Sequence, residues 1–267
     1  MLHHYPYHID SLIQMSEISR MYDDSQMAAD MIERALYALQ NSFHPSFQFA
    51  KSQNGICYLN YSRVENRGLF IALFKHILYI SSKACYRTSL ELSKLLLSLD
   101  CDGDPLAIIL LIDLYAIRSS QYNYLIDFYE SFDEFKHLSL LPNMLMSTAL
   151  AYHYLSKQPG QQQKQAYAAK ANAMLREALL KFPNILLELL DKCGVVADRD
   201  TEKSRIFSKV ANLNVSVGLK HLCDLYVLRM HNEWKLPENV QWLDSIIREV
   251  LADESSLESQ VKAHKKK

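Results

Sequence analysis

The chain has 267 residues, 49% of them apolar and 22% charged, enough for one large domain or a continuous repeat array. Its 29 basic and 30 acidic side chains nearly cancel, so no global field favours nucleic acid and a phosphate-reading surface can exist only as a local patch. Six Gly and 7 Pro suit a mostly helical chain, and five scattered cysteines with no Cys-x-x-Cys pair indicate reduced thiols rather than a disulfide framework.

The first residues, Met1-Leu2-His3-His4-Tyr5-Pro6, lack a basic segment followed by an apolar one, so no secretory signal is expected. Pro6 suits the first turn of a helix over 6–22, with Ile9, Leu12, Ile13 and Met15 on its apolar face. Asp23, Asp24 or Ser25 can cap a second helix reaching residue 43, striped by Met27, Met31, Ala35, Leu36 and Leu39. Pro45 breaks it, and 46–63 reads as irregular, with at most a brief extended piece at 56–61. Helices are expected over 65–81 and 84–99, the first broadly apolar and the second striped by Leu90, Leu92, Leu95, Leu96 and Leu99.

An acidic turn, Asp100-Cys101-Asp102-Gly103-Asp104-Pro105, then leads into residues 106–117, of which eleven are apolar and one is Asp113. A helix greasy on nearly every face must be covered on nearly every face. At twelve residues it is too short to span a bilayer, which takes about 20. It therefore reads as the central helix of the fold, with 121–135 returning against it. Helices follow over 141–156, with Pro142 at the start, over 166–182, and briefly over 184–192. Polar 158–165 makes a turn, and 194–214 reads as a loop. Helices over 215–234 and 238–251, separated by Pro237, complete the fold. The polar and basic residues 252–267 are expected to be disordered.

Three segments share a loose pattern in which a small or apolar residue on a second helix precedes a Pro-terminated turn: 33–45, 90–105 and 176–183. Tetratricopeptide-type hairpins read this way, although the spacing here is not a fixed 34 residues. The expected architecture is all-α: a tetratricopeptide-like α-solenoid forming one scaffold domain over 1–251, with antiparallel hairpins near 6–43, 65–99, 104–135, 141–182 and 215–251.

Chemistry is harder to find. Asp100, Asp102 and Asp104 mimic the first calcium-ligand positions of an EF-hand, but Gly103 sits two places early and Leu111 stands where a bidentate Glu belongs. The turn instead reads as a solvated helix entry with Asp104 as N-cap to Pro105. His4 and His8 flank Pro6 without a carboxylate or Cys to complete a metal set. Asp113 reads as a structural hydrogen-bond or ion-pair partner, with Arg118 or a neighbouring helix. The aromatic side chains of 122–135 read as core. No nucleophile elbow, phosphate-binding glycine loop or zinc-protease motif occurs. No catalytic residue, cofactor or metal is expected.

Several strings together resemble the transcription factor 25 family, whose fungal relative is known as subunit one of the ribosome quality control complex. They are 6–12 (Pro6-Tyr7-His8-Ile9-Asp10-Ser11-Leu12), 33–37, 43–45, 65–67, Asp104-Pro105 with 110–113, 122–126, 141–143 and Trp234-Lys235. The resemblance is spread over 5–251. It implies that Pro6, Tyr7, His8, Asp10, Glu33, Arg34, His44, Pro45, Asn66, Arg67, Asp104, Pro105, Asp113, Pro142, Asn143 and Trp234 are signature positions with structural roles. It also implies a non-enzymatic scaffold in cytosol and nucleus. Its partners would be a listerin-type E3 ligase, the nascent-chain-binding factor, the Cdc48 or p97 ATPase and the 60S subunit, in ubiquitinating and extracting stalled nascent chains. The family's older name implies the rival reading, a nuclear transcriptional repressor acting through protein contacts. Neither sequence-specific DNA binding nor a membrane is expected. The resemblance also implies a long charged region before the Pro6 string and further residues beyond the last helix pair, which lie outside this sequence.

Overall fold

A computed structural model describes residues 2–44, 47, 58–160, 163–208 and 215–253. Among the described residues every regular element is helical and none is a strand. The chain divides into two compact units, Met1–Ser119 and Ser120–Lys267, with the boundary inside the stretch expected to form the 104–135 hairpin.

In the first unit the helices are α1 (Ile9–Met21), α2 (Ser25–Ser42), α3 (Val64–Ser82), α4 (Tyr86–Leu99) and α5 (Ile109–Arg118). Neighbours in sequence are neighbours in space: α1 packs on α2, α2 on α3, α3 on α4 and α4 on α5. Capping sets the starts. His8 Nδ1 accepts from the Ser11 amide (3.3 Å), so α1 begins at Ile9 rather than at Pro6, which lies in the preceding turn. Asp24 accepts from the Met27 amide at 2.9 Å and opens α2. Pro45 lies outside the described residues, as does most of the expected extended piece.

The central apolar run starts its helix later than its sequence suggests. Asp104 (φ 37°) and Ala107 (φ 52°) are left-handed, so 105–107 form turns rather than helix. The Asp104 carboxylate still caps, accepting from the amides of Ile108 (2.8 Å) and Ile109 (3.0 Å). Asp100 accepts from the Gly103 amide, and a Cβ at Gly103 would stand 2.8 Å from both Asp100 carboxylate oxygens. Within α5, Ile112, Tyr115, Ala116 and Ile117 are buried, and so is Asp113 at 1% exposure.

In the second unit the helices are α6 (Tyr122–Lys136), α7 (Pro142–Lys157), α8 (Lys164–Lys181), α9 (Ile185–Cys193), α10 (Arg199–Lys203), α11 (Val217–Trp234) and α12 (Pro237–Ala252). A 3-10 turn, Leu138–Leu140, links α6 to α7. Helix α7 lies deepest: nearly every residue from Pro142 to Leu155 is buried, because α6, α8 and α11 all pack on it. Helix α11 also lies against α9, and α12 against α8. The stretch 194–208, expected to be loop, holds α10 and buries Thr201, Ile206 and Phe207. No helix among the described residues is long and apolar enough to cross a membrane.

Candidate protein-binding surface

The first hairpin carries more apolar side chains than its neighbours cover. Both helices also pack on α3: from α1, Ser16 bonds the Tyr79 hydroxyl at 3.0 Å and Glu17 pairs with Lys75. A second stripe on α1 follows helical spacing through Leu12, Met15, Ile18 and Tyr22. Facing it, α2 presents Asp24, Met27, Met31 and Arg34 at the same spacing. Between the stripes lies a cavity of about 490 Å³, with Leu2 and Pro6 also in its wall. Leu12 and Met31 are buried in its floor, whereas Met15 (39%), Ile18 (44%), Met27 (45%) and Tyr22 (82%) remain open to solvent. Single exposed apolar residues are ordinary, but a contiguous concave set marks an interaction surface. Met21 and Tyr22, both largely exposed, extend the apolar surface at the end of α1.

Sequence reading assigned Leu12, Met15, Met27 and Met31 to apolar faces but missed the groove. The signal was available: with Ile18 and Tyr22 added, α1 carries apolar residues over more than one face.

The positions singled out in the sequence are spread over both units and do not converge on one cluster. Pro6 and Arg34 line the groove. The exposed Tyr7 ring lies 6.3 Å from that of Tyr37, His8 caps α1, and Asp10 is exposed in its first turn. Glu33 is exposed on α2, where its charge acts on His76 of α3. His44 is exposed beyond the end of α2. Asn66 and Arg67 tie the preceding loop to α3: Asn66 Nδ2 donates to the Asn60 carbonyl, and Arg67 donates to those of Tyr61 and Ser62. Pro105 is half-buried in the entry turn of α5, where Asp104 is the cap. Pro142 opens α7, Asn143 is buried beside it, and Trp234 is fully buried with its Nε1 donating to the Tyr226 hydroxyl at 2.8 Å.

The polar groups buried in the second unit are built into packing. His153 stacks on Trp242 (3.9 Å between centroids, 11° between planes), which in turn stacks on Trp234 at 5.9 Å. Burial, reinforced by Lys157 and opposed by Glu238, lowers the His153 pKa to about 4. Glu188 on α9 and Asp224 on α11 share a hydrogen bond, and burial together with that neighbour holds the Glu188 carboxyl well above the usual carboxylate range. Burial pushes the Cys223 thiol up to about 12, the opposite of an activated nucleophile. Among the described residues no group of three or more His, Cys, Asp or Glu is placed to hold a metal ion. Of the aromatic side chains in α6, Phe128 is buried and stacks on Phe132 at 4.7 Å, whereas Phe135 is exposed.

Comparison with known proteins supplies the context. A family model described as "Transcriptional repressor TCF25" matches residues 1–267. Over 248 residues the chain is 40% identical to the human protein named "Ribosome quality control complex subunit TCF25", a match covering 92% of this chain and 36% of that protein. The Dictyostelium discoideum protein of the same name is 33% identical over 275 residues, covering 94% of this chain and 36% of the relative. The Schizosaccharomyces pombe protein named "Ribosome quality control complex subunit 1" is 30% identical over 247 residues, covering 92% and 34%. The chain thus spans about a third of the length of these relatives. No solved structure matches it.

Proposed function

The chain belongs to the TCF25 family, and on that premise we propose that it is the helical scaffold of a non-catalytic subunit of a ribosome quality control complex. The observation that carries this reading is the name shared by relatives that match over 92% or more of the chain. Three features of the molecule support it. The consecutive packing of α1 to α5 suits a tetratricopeptide-like array, which offers surfaces and needs no catalytic centre. The buried ionisable groups are spent on packing, and the first hairpin carries an open apolar groove. In this reading the signature residues hold the scaffold. Its partners are a listerin-type E3 ligase, the nascent-chain-binding factor, the Cdc48 or p97 ATPase and the 60S subunit, met in the cytosol with a further pool in the nucleus. The tagged chain, purified from cells expressing a stalling reporter, should recover 60S particles and the ligase. Recovery of neither would overturn the reading.

The family's description as a repressor keeps one rival in view, a nuclear regulator acting through protein contacts. It predicts enrichment with chromatin rather than with 60S particles in the same purification.

A further inference from the structure

The groove between α1 and α2 has a direction. Its lining holds two charged side chains, and they sit at opposite ends of the α2 stripe: Asp24 at the start and Arg34 ten residues on, about 15 Å at the rise of a helix. Asp24 uses one carboxylate oxygen to cap α2 and remains exposed. Arg34 is exposed and pairs with no carboxylate among the described residues. Between the two charges every α2 position facing the groove is methionine, and α1 answers with Met15 and Ile18. Methionine is unbranched and polarizable, and it adapts to a range of apolar ridges.

These observations select an occupant. A concave, apolar trough about 15 Å long is filled by the ridge of a three-turn helix read through positions i, i+3, i+4 and i+7. Such a helix is most stable with acidic residues in its first turn and basic residues in its last. Matched to the groove, that polarity places its N-terminal end at Arg34 and its C-terminal end at Asp24. The charge pattern alone is self-complementary, because a second copy turned end over end would also bring Asp24 to Arg34. The concavity decides against it, since two identical hollow faces would leave the cavity unfilled and forfeit the dispersion contacts of its floor.

We propose that the α1–α2 groove docks a three-turn amphipathic helix of a partner protein, antiparallel to α2, with an acidic residue against Arg34 and a basic residue against Asp24. This stands on the geometry of the first unit and does not draw on the quality-control reading.

The probe is a synthetic peptide with leucines at i, i+3, i+4 and i+7, Glu in its first turn and Lys in its last, bridged on its outer face to hold the helix. A second peptide carries Lys at both ends, so that no orientation in the groove places a carboxylate against Arg34. Fluorescence anisotropy with the whole chain should show the first peptide binding at least tenfold more tightly than the second. Met27→Asp should weaken binding at least tenfold, with an unchanged circular dichroism melt because the residue is half exposed. Arg34→Glu should shift the preference to the second peptide, in which Lys replaces that Glu, an arm that holds even if Met27→Asp misfolds. Equal binding of the two peptides, or no binding of either at about 100 µM, overturns the proposal. So does a dimer in sedimentation velocity that Met27→Asp abolishes, which would assign the face to a second copy.

Discussion

Single residues decide where this chain's helices begin. Asp104 takes a left-handed backbone and gives its carboxylate to two amides at the head of α5. Asp104→Ala removes both hydrogen bonds and should destabilise the chain by about 1–2 kcal/mol, read as a drop of a few degrees in melting temperature. Asp104→Asn, which can keep part of the cap and tolerates the left-handed region, should lose less. His153 makes a pH-dependent contribution of defined sign. Its folded pKa of about 4 lies below the ordinary 6.5, so between those values the unfolded chain takes up a proton that the native chain does not. Stability from this group is therefore full above pH 6.5 and lost as pH falls towards 4, by up to ~3 kcal/mol at 1.36 kcal/mol per pH unit. Glu188 acts the other way: its folded pKa is raised, so its cost is relieved as pH falls through that pKa towards 4.5. The two effects partly cancel in the wild type. Urea titrations of His153→Phe should separate them, with the variant gaining stability relative to wild type as pH drops from 6.5 to 4. A pH-independent difference would show that His153 already titrates normally.

At the scale of elements, the sequence was most legible where periodicity and caps coincide. Helix α2 was expected to follow Asp23, Asp24 or Ser25 and to end at residue 43; it runs Ser25–Ser42 behind the Asp24 cap. Helices α11 and α12 follow their expected limits within about two residues, because Ser216 caps one and Pro237 opens the other. Failures arose where backbone conformation overrides hydropathy. Residues 106 and 107 open the apolar run, yet the left-handed Ala107 and Asp104 keep them out of α5, and Leu110 is only half-buried. Burial inside α5 therefore ranks the positions differently from apolarity alone. Ile112→Asp places an unpaired carboxylate at a fully buried site and should unfold the first unit. Asp113→Asn keeps the shape of a buried side chain and removes one charge, and it should leave peptide binding at the groove unchanged. A wild-type melt for Ile112→Asp would refute that ranking.

At the scale of the whole molecule, composition settled the class and little of the packing. Helical content follows from few Gly and Pro and from the periodicities, but which helix covers which depends on contacts far apart in sequence. In the first unit, short connections enforce the packing of α1 on α2 and of α3 on α4. In the second, α11 reaches back to α7 and α12 to α8, and nothing in the local pattern announces it. The groove was hidden for the same reason, since it is the part of two apolar stripes left over after α3 takes its share. Near-neutral net charge has a consequence that can be measured at this scale. The chain should not shift a duplex DNA at 150 mM salt and about 10 µM protein, because few phosphates could be neutralised. A shift that falls steeply with salt would point instead to a local basic patch.

The stack of His153, Trp242 and Trp234 also gives the molecule an optical asymmetry. The chain has two tryptophans, and both stand in that one ladder within the second unit. Emission excited at 295 nm therefore reports on residues beyond Ser119 alone, while the first unit and its groove are spectroscopically silent. Peptide docking at α1 and α2 can be followed by a label without interference from the protein's own fluorescence. Acid titration of the imidazole beside Trp242 can be watched in the same sample as quenching of indole emission.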